Sequence, residues 1–153
     1  MENKSKKDFK LKVELVPDSC WYSNLRSLLK PSDWDIVRKD AYARAEGRCM
    51  TCGRKVKRLE AHERWLYDEQ KAVQKLTDVV ALCHSCHECV HLGRTTLMGR
   101  EKEACSWFMK VNGCSQSEYH EALGEANETH RRRNRIDGWR TDISWLKNKF
   151  DIQ

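Results

Sequence analysis

The sequence predicts an α+β fold: a β-hairpin and the helix after it form the centre, a strand and a helix precede them, and the C-terminal third is helical. Three observations predict this. Two Cys-x-x-Cys pairs, Cys49/Cys52 and Cys83/Cys86, are separated by 30 residues. The stretch between them alternates as paired strands do, and beyond His91 apolar residues recur at helical spacing. A chain of 153 residues suits one compact domain, divided here into an N-terminal basic segment with strand and helix (1–48), the core (49–95) and a C-terminal helical extension (96–153).

Leu11-Lys-Val-Glu-Leu-Val16 alternates apolar and charged residues, which predicts a half-buried strand ended by Pro17-Asp18. Ser32 reads as an N-cap with Asp35 at the third helical position, so a helix runs through Tyr42 and Ala45 until Gly47 stops it. The first hairpin strand falls within Val56–Trp65, Tyr67-Asp-Glu69 supplies polar turn residues, and Val73–Leu82 is a second, more apolar strand. Ala104, Trp107, Phe108 and Val111 give Glu101–Val111 a helical period that Gly113 closes. Ser115 and Glu118 form a capping box for a helix running into the Arg131 cluster, and Thr141 or Asp142 caps a last short helix with Ile143, Leu146 and Phe150.

With 39% hydrophobic residues and a mean hydropathy of −0.83, the chain is polar enough that a metal or a partner is expected to add to a modest core. Met1–Lys12 carries five lysines without an apolar h-region after them, and no apolar run approaches the ~20 residues that span a bilayer. A cytoplasmic protein is therefore expected, in a reducing compartment where its eight cysteines read as metal ligands or buried thiols before disulfides. The net charge of +6 is uneven: residues 131–149 hold seven Lys or Arg against two Asp, whereas residues 60–79 hold five acids against three bases. Basic flanks around an acidic centre fit a polyanion gripped outside a bound cation, or simply solvated faces.

Cys49-Met-Thr-Cys52-Gly53 has the form of a zinc knuckle, and with Cys83 and Cys86 it completes a tetrahedral four-thiolate set for a structural Zn²⁺. Cys86-His-Glu-Cys89 is a competing Cys-x-x-Cys, while Cys20, Cys105 and Cys114 lack partners at ligand spacing. His87 and His91, four apart, share one face of a helix, and His62 on the first hairpin strand can reach the same ion. The site would keep open positions for water and substrate. Against this stands the plainer reading that these histidines pad the zinc module.

Residues 49–92 resemble the HNH, or ββα-metal, nuclease superfamily, whose core is a β-hairpin plus helix often stapled by a four-cysteine zinc. Leu59-Glu-Ala-His-Glu-Arg-Trp65, Gln74-Lys-Leu76, Leu82-Cys-x-x-Cys-His-x-x-x-His-Leu-Gly93 and Trp21-Tyr-Ser-Asn24 are similar to small stand-alone bacterial and phage HNH-like proteins. The resemblance implies a metal-dependent endonuclease hydrolysing DNA phosphodiester bonds in a bacterial or phage-infected cytoplasm. It makes His62, His87 and His91 the ligands of a second divalent ion: Mg²⁺, Mn²⁺, Ni²⁺ or Zn²⁺.

Two positions depart from the family pattern. Glu63 stands where the general-base histidine follows the first ligand, and Asp78 stands where an asparagine orients that base. Glu63 then serves as base, as a fourth ligand, or as a strand residue paired with Arg64 or a lysine; Asp78 holds a metal-bound water or orients a histidine. Trp65 and Tyr67 read as hairpin packing residues, or as stacking platforms for bases. Arg131, Arg132, Arg133 and Arg135 bind a DNA backbone or complement a helix dipole. The altered positions also allow a non-catalytic zinc module that binds DNA or a host protein as a regulator or inhibitor.

Overall fold

The structure, a computed structural model, describes residues 9–152, so most of the lysine-rich N-terminal run lies outside the described residues. In chain order the helices are α1 (Leu25–Leu28), α2 (Pro31–Ala45), α3 (His84–Val90), α4 (Leu92–Leu97), α5 (Glu101–Asn112), α6 (Gln116–Asn134) and α7 (Ser144–Phe150). Strands β1 (Glu60–Asp68) and β2 (Val73–Leu82) form the antiparallel hairpin, and β3 (Arg140–Asp142) pairs in parallel with β2, giving the order β1-β2-β3. The fold is α+β, with one small sheet between two sets of helices.

The C-terminal end of β2 is a continuous apolar run because it is covered on both faces, and Val79, Val80, Ala81 and Leu82 are all buried. On one face Val80 and Leu82 pack with Phe9, Leu11, Val90, Phe108 and Tyr119. On the other, Leu76, Val79 and Ala81 pack with Leu25, Trp34, Val37, Ala41 and Leu146. The two faces carry different chemistry. The register pairs His62 with Val80 on the first face and Glu63 with Val79 on the second, so adjacent residues of β1 serve opposite sides of the sheet.

The predicted strand at Leu11–Val16 is absent: the segment is extended but joins no sheet. Its alternation has another cause. The Leu11 N–H donates to Asn112 Oδ1 at 3.0 Å, Asn112 Nδ2 returns a bond to the Leu11 carbonyl at 2.9 Å, and the Glu14 N–H donates to the Val90 carbonyl at 3.0 Å. A side-chain amide and a helix end thus do the work of a neighbouring strand.

Other boundaries moved for local reasons. Lys30, not Ser32, is the N-cap of α2, because Pro31 with its fixed φ and missing N–H takes the first helical position. Glu46 and Gly47, at φ 51° and 81°, end that helix in left-handed backbone. β1 starts later than expected and extends through Tyr67 and Asp68, which pair with Gln74 and Val73; the turn lies beyond, where Asp68 Oδ1 accepts from the Lys71 N–H at 2.9 Å. Tyr67 belongs to the strand because its hydroxyl donates to Gln74 Oε1 at 2.8 Å. The capping box of Ser115 and Glu118 starts α6 as expected. Ile143 is the N-cap of α7, with Asp142 one residue earlier accepting from the Ser144 N–H at 2.9 Å. Three-residue β3 carried no sequence pattern. No described helix is long and apolar enough to cross a membrane.

Candidate metal centres

The first centre is built where α2 unwinds. Left-handed Glu46 and Gly47 turn the chain into the knuckle, and Gly53, at φ 78°, closes it with its N–H on the Cys49 carbonyl at 2.9 Å. The Met50 N–H donates to the Ala81 carbonyl at 2.9 Å, which docks the knuckle on β2 just before Cys83 caps α3. The sulfurs of Cys49, Cys52, Cys83 and Cys86 all lie within 4.8 Å of one another. Cys52 and Cys83 are 3.8 Å apart, the edge expected of a tetrahedron with Zn–S bonds of about 2.3 Å. The cluster can hold a metal such as zinc.

Donors around the sulfurs favour thiolate. The N–H groups of Thr51 and Cys52 approach Cys49 Sγ at 3.4 and 3.5 Å, that of Cys86 approaches Cys83 Sγ at 3.4 Å, and Trp107 Nε1 donates to Cys86 Sγ at 3.2 Å. A proton shared with Cys86 holds the Cys49 thiol far below its ordinary value and pushes Cys86 up. Arg54, stacked 4.6 Å above Trp107 and bonded to Cys83, offsets the negative charge of a four-thiolate set. Cys89 does not compete: its thiol donates to the Ala104 carbonyl at 3.2 Å, and burial raises its pKa to about 12.

The second centre lies on the sheet face that His62 serves. His62 from β1, His87 from α3 and His91 at the C-cap of α3 bring one nitrogen each within 4.8 Å of one another, with ring centroids 4.7 to 5.4 Å apart. Burial, then the charge of neighbouring histidines, drives the His91 pKa down to about 3; burial also lowers that of His87, against its bond to Glu60. Neutral imidazoles are the form that ligates a cation.

Two carboxylates serve this cluster, and neither was singled out from sequence. Glu60 Oε1 accepts from His87 Nδ1 at 2.7 Å, which leaves Nε2 of His87 as its free ligand atom, and Glu60 Oε2 meets His84 Nδ1 at 2.9 Å. Burial opposes ionisation of Glu60, but these two histidines hold its pKa below the carboxylate norm. Two residues before His62 on an alternating strand, Glu60 was findable. Glu14 was not: it lies 48 residues upstream of His62, and its Oε2 stands 3.2 Å from His62 Nε2 and also pairs with Arg64. Burial raises its pKa, yet His62, Arg64 and His91 together bring it below the norm.

Glu63 and Asp78 lie elsewhere. Glu63 faces Val79 across the hairpin, accepts from the Leu25 N–H and the Trp65 side chain, and has its pKa raised by burial. It sits on the α2 side, outside the histidine cluster. Asp78 accepts from its own neighbour, the Val79 N–H, at 2.8 Å and pairs with Arg44 at 3.5 Å, so it orients no histidine. Trp65 and Tyr67 are packing residues: Trp65 joins the second cluster, while Trp139 and Arg133 cover the Tyr67 ring at 5.6 and 4.8 Å.

Within the arginine cluster, Arg132 forms two bonds to Glu69 at 2.6 and 2.9 Å, and Arg133 also reaches that carboxylate, at the far end of the hairpin from His62. A different basic surface adjoins the histidines. Arg26, Arg38, Lys57 and Arg58 line a groove of about 620 Å³ with Tyr42, Glu60 and His87. Comparison with protein-family models, curated proteins and solved structures finds no match, so function must be argued from this geometry.

Proposed function

We propose that the chain is a zinc-stapled, metal-dependent endonuclease of the HNH type that hydrolyses DNA phosphodiester bonds. The observation that carries this reading is the convergence of His62, His87 and His91 from a hairpin strand and the helix after it. A divalent cation on these nitrogens would polarise a phosphate and stabilise the leaving oxygen. Glu60 holds the His87 ring and fixes its tautomer, so Nε2 is presented without reorganisation. The groove of Arg26, Arg38, Lys57 and Arg58 runs up to His87 and offers a phosphodiester backbone four basic side chains beside the cluster, of which Arg38 is paired with Asp35 at 2.9 Å. It supports DNA as substrate better than Arg132 and Arg133, which share the carboxylate of Glu69 and so keep one of their two charges unpaired.

One observation favours a second reading, a non-catalytic zinc module that binds DNA or a host protein: Glu63 and Asp78, at the altered family positions, face away from the histidines. Incubation of supercoiled plasmid with Mg²⁺, Mn²⁺ or Ni²⁺ separates the two. Cleavage is expected from the wild type and from Glu63→Gln, and is expected to vanish in His62→Ala and His91→Ala. Cleavage that survives His62→Ala removes the site assignment. Salt-sensitive DNA binding with no cleavage under any metal establishes the binding module instead.

A further inference from the structure

We infer that Glu14 supplies a fourth protein ligand to the cation of His62, His87 and His91; this rests on the histidine-site reading above and extends it to a segment far upstream in the chain. The backbone brings Glu14 there firmly. Its N–H is bonded to the carbonyl of Val90, the residue before His91, at 3.0 Å, and three residues earlier Leu11 is clamped by Asn112. Glu14 and His91 are therefore registered on one another through α3.

The side-chain geometry matches a coordination sphere. Two ligand atoms on bonds of about 2.0–2.1 Å stand about 3.3 Å apart at a tetrahedral angle and about 2.9 Å apart at a right angle. Glu14 Oε2 and His62 Nε2 are 3.2 Å apart, between these values. Glu14 lies outside the mutual 4.8 Å distance that joins the three histidines, so its carboxylate has to move toward His87 and His91 for the cation to take it as a ligand.

Charge points the same way. Three neutral imidazoles bring no negative charge to a divalent ion in a half-buried site, and such an ion draws in a carboxylate. Glu60 is engaged with the outer nitrogens of His84 and His87, and Glu63 faces Val79. Glu14 is the remaining carboxylate at the cluster among the described residues, and Arg64 pairs with the same Oε2 that faces His62. With four protein ligands, four-coordinate zinc leaves no open position, whereas six-coordinate Mn²⁺ or Mg²⁺ keeps two, enough for one water and one phosphate oxygen. The identity of the ion then decides whether the site is closed or reactive.

The test uses the full chain loaded with one equivalent of zinc, into which Mn²⁺ is titrated by calorimetry, with bound waters counted by water-proton relaxation at saturating Mn²⁺. Loss of an outer partner weakens metal binding about 10–100-fold, so loss of a ligand should exceed this. Glu14→Gln is expected to weaken Mn²⁺ by more than about 100-fold and to add one bound water, while Glu60→Gln weakens it less and leaves the water count unchanged. Glu14→Asp, should Glu14→Gln fail to fold, is expected to add a water as well. Affinity and water count unchanged in the folded Glu14 variant, with binding still abolished by His62→Ala, overturns the role of Glu14 and leaves the three-histidine site standing. Failure of the wild type to bind Mn²⁺, Ni²⁺ or further zinc overturns both.

Discussion

Asn112→Ala should unfasten the N-terminal segment from the rest of the chain. Asn112 is 0% exposed and Leu11 1%, and the two share reciprocal bonds of 3.0 and 2.9 Å. Truncation leaves the Leu11 N–H and carbonyl buried without these partners, at about 1–3 kcal/mol each, or about 2–6 kcal/mol together. The chain can avoid that cost by releasing the segment, which re-exposes Phe9 and Leu11 at about 1.5–3 kcal/mol each. Both routes converge on roughly 3–5 kcal/mol. For a domain of about 150 residues each kcal/mol moves Tm by about 2–4 °C, so thermal unfolding in saturating zinc should show a fall of roughly 6–20 °C. Amide exchange gives a second readout, since the Glu14 N–H loses protection if the segment lets go of Val90. A Tm within about 2 °C of wild type, with Glu14 still protected, would refute the clamp.

Three further predictions follow from the two centres and the groove. Cys49→Ser, or a strong chelator, should remove bound zinc and cause loss of far-UV ellipticity, because the four cysteines tie the knuckle to α3; a chelated protein with an unchanged spectrum would deny zinc a structural role. In the absence of a cation at the histidines, the His91 pKa of about 3 lies below its ordinary 6.5, so between these values the unfolded chain takes up a proton that folded His91 refuses. That contribution to stability is complete above about pH 6.5 and is lost as pH falls toward 3; Tm should drop between pH 7 and 4.5, and less in His91→Gln, equal drops being the refuting result. Replacing Arg38, Lys57 and Arg58 by Ala should reduce the dependence of log affinity for DNA on log salt by about 3, whereas Arg132→Ala with Arg133→Ala should change it little; the reverse order would move the DNA surface to the α6 end.

Local chemistry was legible in the sequence by itself. The spacing of Cys49, Cys52, Cys83 and Cys86 presents paired sulfurs from one tight turn and from the first turn of α3, and both need little from the rest of the chain. His87 and His91 follow the helical repeat, β2 stands out as the more apolar strand of the hairpin, and Ser115 with Glu118 marks the start of α6. Each is a short-range pattern whose cause lies within a few residues.

What remained for the tertiary structure were the features set by pairing and by distance along the chain. Sequence adjacency put Glu63 beside His62, but a strand turns neighbours to opposite faces, and the register gave Glu63 to Val79 and the α2 side. Leu11–Val16 has the alternation of a strand, yet Asn112 and Val90 rather than a sheet satisfy its backbone, and only that packing carries Glu14 to the histidines. A pattern of period two records which residues are buried; which partner buries them, and what stands opposite, is decided by the fold as a whole.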